Sequence, residues 1–426
     1  MKTKRAFITA LVDRLAARQL GFPPETRSYT VQAVSDEPAQ FELAADLYQP
    51  VLAKDKKPAG TILIRCPYGR GLVFALLSAR PYAARGYQCL LVSCRGTFGS
   101  GGKFDPWRHE EEDGRAVVQW MRKQDLYTGS FATLGGSYLG FVQWALLRNP
   151  PPDMVAAVIQ CAPHDFSQQL WGTGSLALEW ICWGENMARQ EETGIFQTLK
   201  KLNTAERMRP VLDQIPLAQG VKAHFEGRAS WLDFVSEHPD TSDPYYRPMQ
   251  LGEALERADI LYFWLVDANS TTGGNLLLSG GATNDTTLAA RSDVLTFTTE
   301  VLEKDVEISG KVIVELSHSS DNPNADLFIR VSEVDAKGQS HNITETYKRF
   351  PSGQGVSPVI LHLNDCAHRF VKGSRIRLII AGGSHPQFAI NTGNGVGVTS
   401  NGLKSTIHTI VRGEFGASRI LLPTVM

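Results

Sequence analysis

The chain has 426 residues, 42% hydrophobic and 20% charged, with 43 basic and 44 acidic side chains and a formal net charge of −1. That length suits two or three domains whose cores need no disulfide or metal staple. The balanced charge argues against a nucleic-acid or anionic-membrane binder and leaves a small molecule or a short peptide as the expected partner.

Met1–Gln19 is basic and helix-periodic, with Phe7, Leu11, Leu15 and Leu20 on one face. Asp13 and Arg14 interrupt any signal-peptide apolar run, so residues 1–24 read as a surface helix, with a mitochondrial presequence as the alternative. No apolar run approaches the ~18 residues of a membrane span, and a cytoplasmic location with no membrane partner is expected. Six cysteines (Cys66, Cys89, Cys94, Cys161, Cys182 and Cys366) form no C-x-x-C pair. They read as buried reduced thiols, not as a disulfide framework or zinc site, so neither metal nor cofactor is expected.

Ser28–Val34 and Phe41–Tyr48 alternate in polarity and predict a β-hairpin ended by the turn at Pro50. Apolar runs at Thr61–Cys66, Gln88–Cys94, Phe131–Leu134 and Val155–Cys161 fit strands buried on both faces. Helical patterns lie between them at Leu72–Arg85, Glu110–Gln124 and Leu139–Leu147. This alternation predicts a parallel α/β sheet over residues 25–162. Helix Glu110–Gln124 carries acidic residues in its first turn and basic ones near its end, as the helix dipole favours. Trp171, Leu176, Leu178, Trp180, Trp183, Met187, Leu199 and Leu202 then fall at helical spacing and predict a helical cap over residues 163–260. Beyond, Asp293–Thr299, Val306–Leu316, Asp326–Val334, Ser357–Leu363, Arg375–Ile380 and Ser405–Val411 are short, Val/Ile-rich and separated by turn residues. They predict an all-β sandwich or jelly roll over residues 261–426.

The strongest chemical signal is Leu134-Gly135-Gly136-Ser137-Tyr138-Leu139-Gly140, between a predicted strand and a predicted helix. A serine on such a turn is a nucleophile elbow, and the helix N-terminus supplies positive partial charge and a backbone N–H for an oxyanion. The second glycine arrives one position late, at Gly140, so the strict G-x-S-x-G pattern fails. Arg65-Cys66-Pro67-Tyr68-Gly69-Arg70 follows the first central strand, where oxyanion-hole loops sit; the Tyr68 hydroxyl is a candidate donor, with a packed loop aromatic as the alternative. The Gly-rich Cys94–Gly102 segment lacks the lysine and spacing of a phosphate loop and reads as a tight loop at the rim of the site.

In these residues the chain resembles the cocaine-esterase and X-Pro dipeptidyl-peptidase family of serine hydrolases. The matching segments are Cys66–Arg70, Ala83–Tyr87, Cys94–Ser100, Gly136–Gly140, Ala367–Phe370 and Gly382–Pro386. The family elbow reads G-x-S-Y-x-G, which accounts for the late glycine. The resemblance implies an α/β-hydrolase domain, a helical cap and a C-terminal jelly roll. It also implies Ser137 as nucleophile, with the Tyr68 hydroxyl and the Tyr138 backbone N–H as oxyanion donors.

A serine hydrolase also needs a base and an acid, which in this fold follow the serine in chain order. The tryptophan-bearing acid segment and the G-P-W-x-H-like histidine segment of the family are not recognisable here. The chain runs from Ala254–Ile260 straight into Leu261-Tyr262-Phe263-Trp264. Two βα units at ~30 residues each set the deficit at roughly 60–100 residues. This reads as a shortened isoform or exon-skipped transcript, with a reduced pseudoenzyme and a rewired active enzyme as alternatives. Leu261–Val266 can add one strand to the sheet but not a full βα pair. Asp165 and His164 follow the last central strand; His109 precedes the serine; His224 and His238 lie in the cap; His318, His341, His362, His368, His385 and His408 lie in the β domain. Each reads more simply as a surface or hydrogen-bonded histidine than as the base. The expectation is an ester- or amide-cleaving serine hydrolase acting through an acyl-enzyme, with a catalytically impaired binding protein of the same family as the alternative. A homo-oligomer is compatible with a jelly-roll face.

Overall fold

The computed structural model describes Leu15 and residues 26–33, 41–192, 204–254, 261–265, 284–350, 358–411 and 418–425. Of the expected N-terminal helix only Leu15, which is helical, falls among them. Leu199, Leu202, Ser357 and the 255–260 junction lie outside the described residues. The contacts divide the chain into two compact units, Met1–Ser167 with Ser242–Asp267, and Gln168–Thr241 with Ala268–Met426.

The first unit is built on seven strands: β1 (Thr26–Ala33), β2 (Phe41–Tyr48), β3 (Thr61–Cys66), β4 (Gln88–Ser93), β5 (Phe131–Gly136), β6 (Met154–Gln160) and β7 (Leu261–Leu265). They form one mixed sheet in the order β1-β2-β4-β3-β5-β6-β7. The hairpin β1–β2 is antiparallel and joins β4 antiparallel, while the neighbours from β4 to β7 run parallel. Every residue of β3 and β4 is buried: the apolar stretches Ile62–Ile64 and Cys89–Val92 suit that burial, and Arg65 is buried with them. β6 departs from that expectation: Met154, Ala157 and Ile159 are buried, but Val155 is 55% exposed. β7 pairs in parallel with β6, from Ala156↔Leu261 to Gln160↔Leu265, and supplies the one further strand that the sequence allowed.

Four helical pieces flank the sheet: α1 (Leu72–Phe74), α2 (Arg80–Ala83), α3 (Glu110–Arg122) and α4 (Tyr138–Leu147). Where the sequence predicts one regular helix over Leu72–Arg85, a π-helical turn at Ala75–Ala79 separates α1 from α2. Such a turn widens the backbone locally and leaves the apolar spacing almost unchanged, so periodicity does not show it. α4 is buried at all ten residues and has no polar face. α3 turns Val117, Val118 and Met121 inward.

The second unit joins a helical layer to a β sandwich. Its helices are α5 (Glu179–Ala188), α6 (Thr204–Leu212), α7 (Leu217–Phe225) and α8 (Trp231–Glu237). The tryptophans of this layer pack on one another, Trp180 on Trp183 at 5.9 Å and Trp183 on Trp231 at 5.7 Å, both edge-on. The sandwich contains β8 (Val294–Thr298), β9 (Val306–Leu316), β10 (His318–Ser320), β11 (Asp326–Val334), β12 (Ser340–Arg349), β13 (Val359–Phe370), β14 (Arg375–Ala381), β15 (His408–Ile410) and β16 (Arg419–Leu421). They form sheets β12-β11-β14-β8 and β13-β9-β16 with a small β10-β15 pair. Val312, Val314, Ile329, Val331, Leu361 and Ile380 from the two larger sheets share one core. Helical layer and sandwich are stitched by Leu178 N–H to Gln387 O (3.0 Å), Ala389 N–H to Leu176 O (2.9 Å) and Arg349 N–H to Thr173 O (2.7 Å).

All six cysteines are free thiols, but only Cys66, Cys89, Cys94 and Cys182 are buried; Cys161 is exposed and Cys366 half-buried. Among the described residues no helix is long and apolar enough to cross a membrane, and no cluster of three or more His, Cys, Asp or Glu side chains is placed to hold a metal ion.

Candidate active site

β5 delivers the chain to Ser137, and α4 leaves it one residue later. At Ser137 φ is 54° and ψ −124°, a region that non-glycine residues adopt at a cost of about 1–3 kcal/mol. The strain is held by backbone bonds on both sides. Ser137 N–H donates to Gln160 O of β6 at 2.9 Å, and Ser137 O accepts the N–H groups of Gly140 (2.9 Å) and Phe141 (3.0 Å). The Ser137 side chain is exposed. This is the geometry of a nucleophile elbow: a strained residue that projects its hydroxyl from a strand-to-helix turn.

The flanking glycines are required by contact. A Cβ on Gly135, where φ is 157°, would stand 2.3 Å from Leu139 Cβ, and one on Gly140 would stand 2.4 Å from Ala162 Cβ. α4 thus crosses β6 too closely for a side chain at residue 140, and that closeness explains the late glycine of the motif.

Because Ser137 N–H is engaged by Gln160, the next N–H at the elbow is that of Tyr138, in the first turn of α4 at the positive end of its dipole. The Tyr138 side chain is fully buried. Its hydroxyl donates to Glu110 Oε1 at 2.6 Å and accepts Trp107 N–H at 3.0 Å. Burial, and then the Glu110 charge, push the Tyr138 phenol well above its ordinary value, so it stays a neutral donor. Glu110 Oε2 meets Arg65 Nη2 at 2.5 Å, and Arg65 Nη1 donates to Glu110 O at 2.5 Å. Burial alone would lower the Arg65 guanidinium, but Glu110 and its neighbours hold it above its ordinary value. The sequence shows Glu110 only as one acid in a helix's first turn; its contacts to Arg65 and Tyr138, 45 and 28 residues away, have no local signature.

Tyr68 is half-buried in the loop after β3. Its ring stacks on Phe74 at 6.0 Å and meets the Tyr138 ring edge-on at 6.4 Å. The structure therefore brings the rings of Tyr68 and Tyr138, the residue after Ser137, into contact. Arg70 anchors this loop by donating to Ser93 Oγ and to Phe98 O (3.0 Å), with Asp46 Oδ1 at 3.6 Å. The Cys94–Gly102 loop is pinned in turn: Arg95 pairs with Asp113 at 2.6 Å, Ser100 Oγ donates to Ser93 O at 2.8 Å, and Ala44 N–H donates to Ser100 Oγ at 3.0 Å.

Among the described residues of this unit, no base is bonded to Ser137. His109 caps α3 with Nδ1 3.5 Å from Glu112. His164 turns its ring edge to Trp144 at 6.5 Å, and its carbonyl accepts Leu251 N–H at 2.7 Å. Asp165 Oδ1 accepts Ser167 N–H (2.9 Å) and Oγ–H (2.5 Å), closing the turn into helix Phe166–Trp171. Within the second unit, His224 pairs with Glu185 at 3.0 Å, His368 with Glu333 at 3.0 Å, His385 with Asp213 at 2.6 Å, and His318 with His408 at 3.0 Å. Each of these is a hydrogen-bonded histidine, as the simpler reading of the sequence expects.

Residues 40–266 match the X-Pro dipeptidyl-peptidase (S15) family, and residues 253–421 match the X-Pro dipeptidyl-peptidase C-terminal non-catalytic domain. The two matches overlap at residues 253–266, where the chain passes from one domain type to the other around β7. The cocaine esterase of a Rhodococcus species is 24% identical over 264 residues, which cover 54% of this chain and 46% of the relative. The chain thus spans less than half the length of that curated relative. Among solved structures, an aminopeptidase from a marine-sediment Thaumarchaeota archaeon has a TM-score of 0.72 at 13% identity, over 94% of this chain and 96% of the other. A CocE/NonD family hydrolase from Staphylococcus aureus has a TM-score of 0.56 at 16% identity, over 94% of each chain. At these identities the structures show a shared fold, an α/β-hydrolase-like domain followed by an all-β domain. With the S15 match covering more than half of its length, the chain belongs to the X-Pro dipeptidyl-peptidase (S15) family.

Proposed function

We propose that the chain is a serine hydrolase that cleaves an ester or a peptide-like amide through an acyl-enzyme on Ser137. The observation that carries this reading is the Ser137 backbone, strained at φ 54° and ψ −124° with its side chain exposed. The turn is held in that conformation by backbone bonds to Gln160, Gly140 and Phe141, and backbone strain of this kind clusters at active sites. In the reaction, Ser137 Oγ attacks the substrate carbonyl carbon, its proton passes to a base, and the carbonyl oxygen becomes an oxyanion. The Tyr138 N–H and the Tyr68 hydroxyl are the donors that would stabilise it. Collapse breaks the bond to the alcohol or amine, which leaves with a proton, and water then releases the acid from Ser137.

Esterase or acylase action is the preferred form. No proline-directed amine pocket is recognisable in the sequence, and the proteins it is similar to include an esterase and an aminopeptidase. The experiment is turnover of a panel of p-nitrophenyl acyl esters and aminoacyl p-nitroanilides by the chain and by Ser137→Ala. Turnover lost in Ser137→Ala supports the reading, and its ester-to-anilide ratio assigns the bond type.

A second reading, a family member that binds ligand without turnover, is favoured by one observation: His109 and His164, the histidines of the Ser137 unit, are each engaged elsewhere. Substrate binding without Ser137-dependent turnover would select it.

A further inference from the structure

We propose that Glu110 is a positioning residue for the acyl-transfer site, clamping the elbow to the strand that launches the Tyr68 loop. The proposal rests on the assignment of Ser137 as nucleophile. Three observations converge on this carboxylate. It is 4% exposed, at the first residue of α3. One oxygen accepts the hydroxyl of Tyr138, the residue after Ser137. The other accepts Arg65, the residue before Cys66 and three before Tyr68. The main chain at residue 110 takes part as well, because Arg65 Nη1 donates to Glu110 O.

The geometry gives this junction leverage on both oxyanion donors. Tyr138 cannot swing its side chain to another χ1 rotamer without breaking the bonds to Glu110 and Trp107, so the start of α4 is tied to the start of α3. The same ring is the edge against which Tyr68 packs at 6.4 Å. Fixing Tyr138 therefore also limits where Tyr68 can sit. On the other side, Arg65 lies in β3 and Gly114 packs so close that a Cβ there would stand 2.9 Å from Arg65 Nη1, leaving the guanidinium one place to be. A simple buried ion pair would need only Arg65 and Glu110. The additional Tyr138 bond, with Trp107 N–H satisfying the phenol's acceptor side, joins the pair to the residue behind the nucleophile. Groups that stabilise an oxyanion act only when held within a few tenths of an ångström of their place, and a shift of about 1 Å costs on the order of a hundredfold in rate.

The test uses the full chain and a fluorophosphonate, with the inactivation rate constant kinact and the binding constant KI measured separately for wild type, Glu110→Gln, Tyr138→Phe, the double variant and Ser137→Ala. Measurements are made where circular dichroism shows each variant folded. The clamp predicts a fall in kinact of about tenfold or more in each single variant, with KI changed by less than about twofold. The double variant should fall no further than the worse single one, because both break one connection. If Glu110→Gln does not fold, Tyr138→Phe carries the test alone, since it leaves the Arg65–Glu110 pair intact. Lower melting temperatures with kinact unchanged would make Glu110 purely structural and overturn the clamp while leaving Ser137 as nucleophile. Labelling that is absent from wild type, or that persists in Ser137→Ala, would overturn the nucleophile assignment and the clamp with it.

Discussion

Gly140 and Ala162 approach so closely that a methyl group on residue 140 would stand 2.4 Å from Ala162 Cβ. This contact, between the first turn of α4 and the second residue beyond β6, sets how deeply the helix seats behind Ser137. Neither partner has a flexible end to move, so any side chain at residue 140 must push the helix off the sheet. Gly140→Ala is expected to destabilise the chain by about 1–3 kcal/mol. It should also slow fluorophosphonate labelling at temperatures where the protein remains folded. Urea unfolding and labelling rates on the same variant check both; wild-type values in both would show that the helix seats with room to spare.

The sandwich holds a buried ion pair of the kind whose halves cannot be removed singly. Arg330 donates from Nε (2.7 Å) and Nη2 (2.6 Å) to Glu345 Oε2, and the side chains are 7% and 4% exposed. Glu345→Ala leaves the guanidinium with Asp285 Oδ2 at 3.6 Å as its remaining carboxylate. A cost of about 3–5 kcal/mol is expected. Replacing both residues by leucine should recover part of that loss, with Asp285 left to its hydrogen bond from Ser332 Oγ–H. Denaturant midpoints of the single and double variants decide it.

His318 and His408 give the second unit an acid-sensitive point. Their rings share a hydrogen bond of 3.0 Å, and His318 stacks on Phe350 at 5.9 Å. Burial, and then His408, push His318 down to about 4 from 6.5, and burial also lowers His408. The unfolded chain therefore takes up protons first as pH falls. The stability of the neutral pair is complete above pH 6.5 and is lost progressively between 6.5 and about 4. His318→Phe should flatten the fall in melting temperature across that window while leaving carboxylate effects below it. An unchanged pH profile would remove this pair from the account.

How much of this could be read from the sequence depended on distance along the chain. The strand-to-helix turn at Ser137 was legible because it is local: a strand, small residues and a helix within about a dozen positions announce it. β3 and β4 were legible because burial on both faces leaves the continuous apolar stretches Ile62–Ile64 and Cys89–Val92 at their centres. β12 was not, since Ser340, Asn342, Thr344 and Glu345 are buried polar residues, with Thr344 bonded to Asn364 O and Glu345 to Arg330, and such a segment shows no apolar alternation. β13 extends to Phe370, beyond the expected end at Leu363, because its apolar alternation stops at a register shift between His362 and Asp365 while the backbone pairing continues. The contacts of Glu110 were not legible: dipole complementarity explains an acid in a first turn equally well whether it faces water or a buried arginine. Cys161 was expected inside from its apolar neighbours, yet it follows the last residue of β6 at φ 46°, and the turn carries it outward.

The central claim is that Ser137 is a nucleophile held ready by its turn. The most direct measurement is intact-protein and peptide mass spectrometry after treatment with a fluorophosphonate, comparing the chain with Ser137→Ala. The account predicts one covalent phosphonyl adduct per chain, located on the peptide that contains Ser137 and absent from Ser137→Ala. A folded chain that takes up no adduct, or an adduct that survives the substitution, would contradict it.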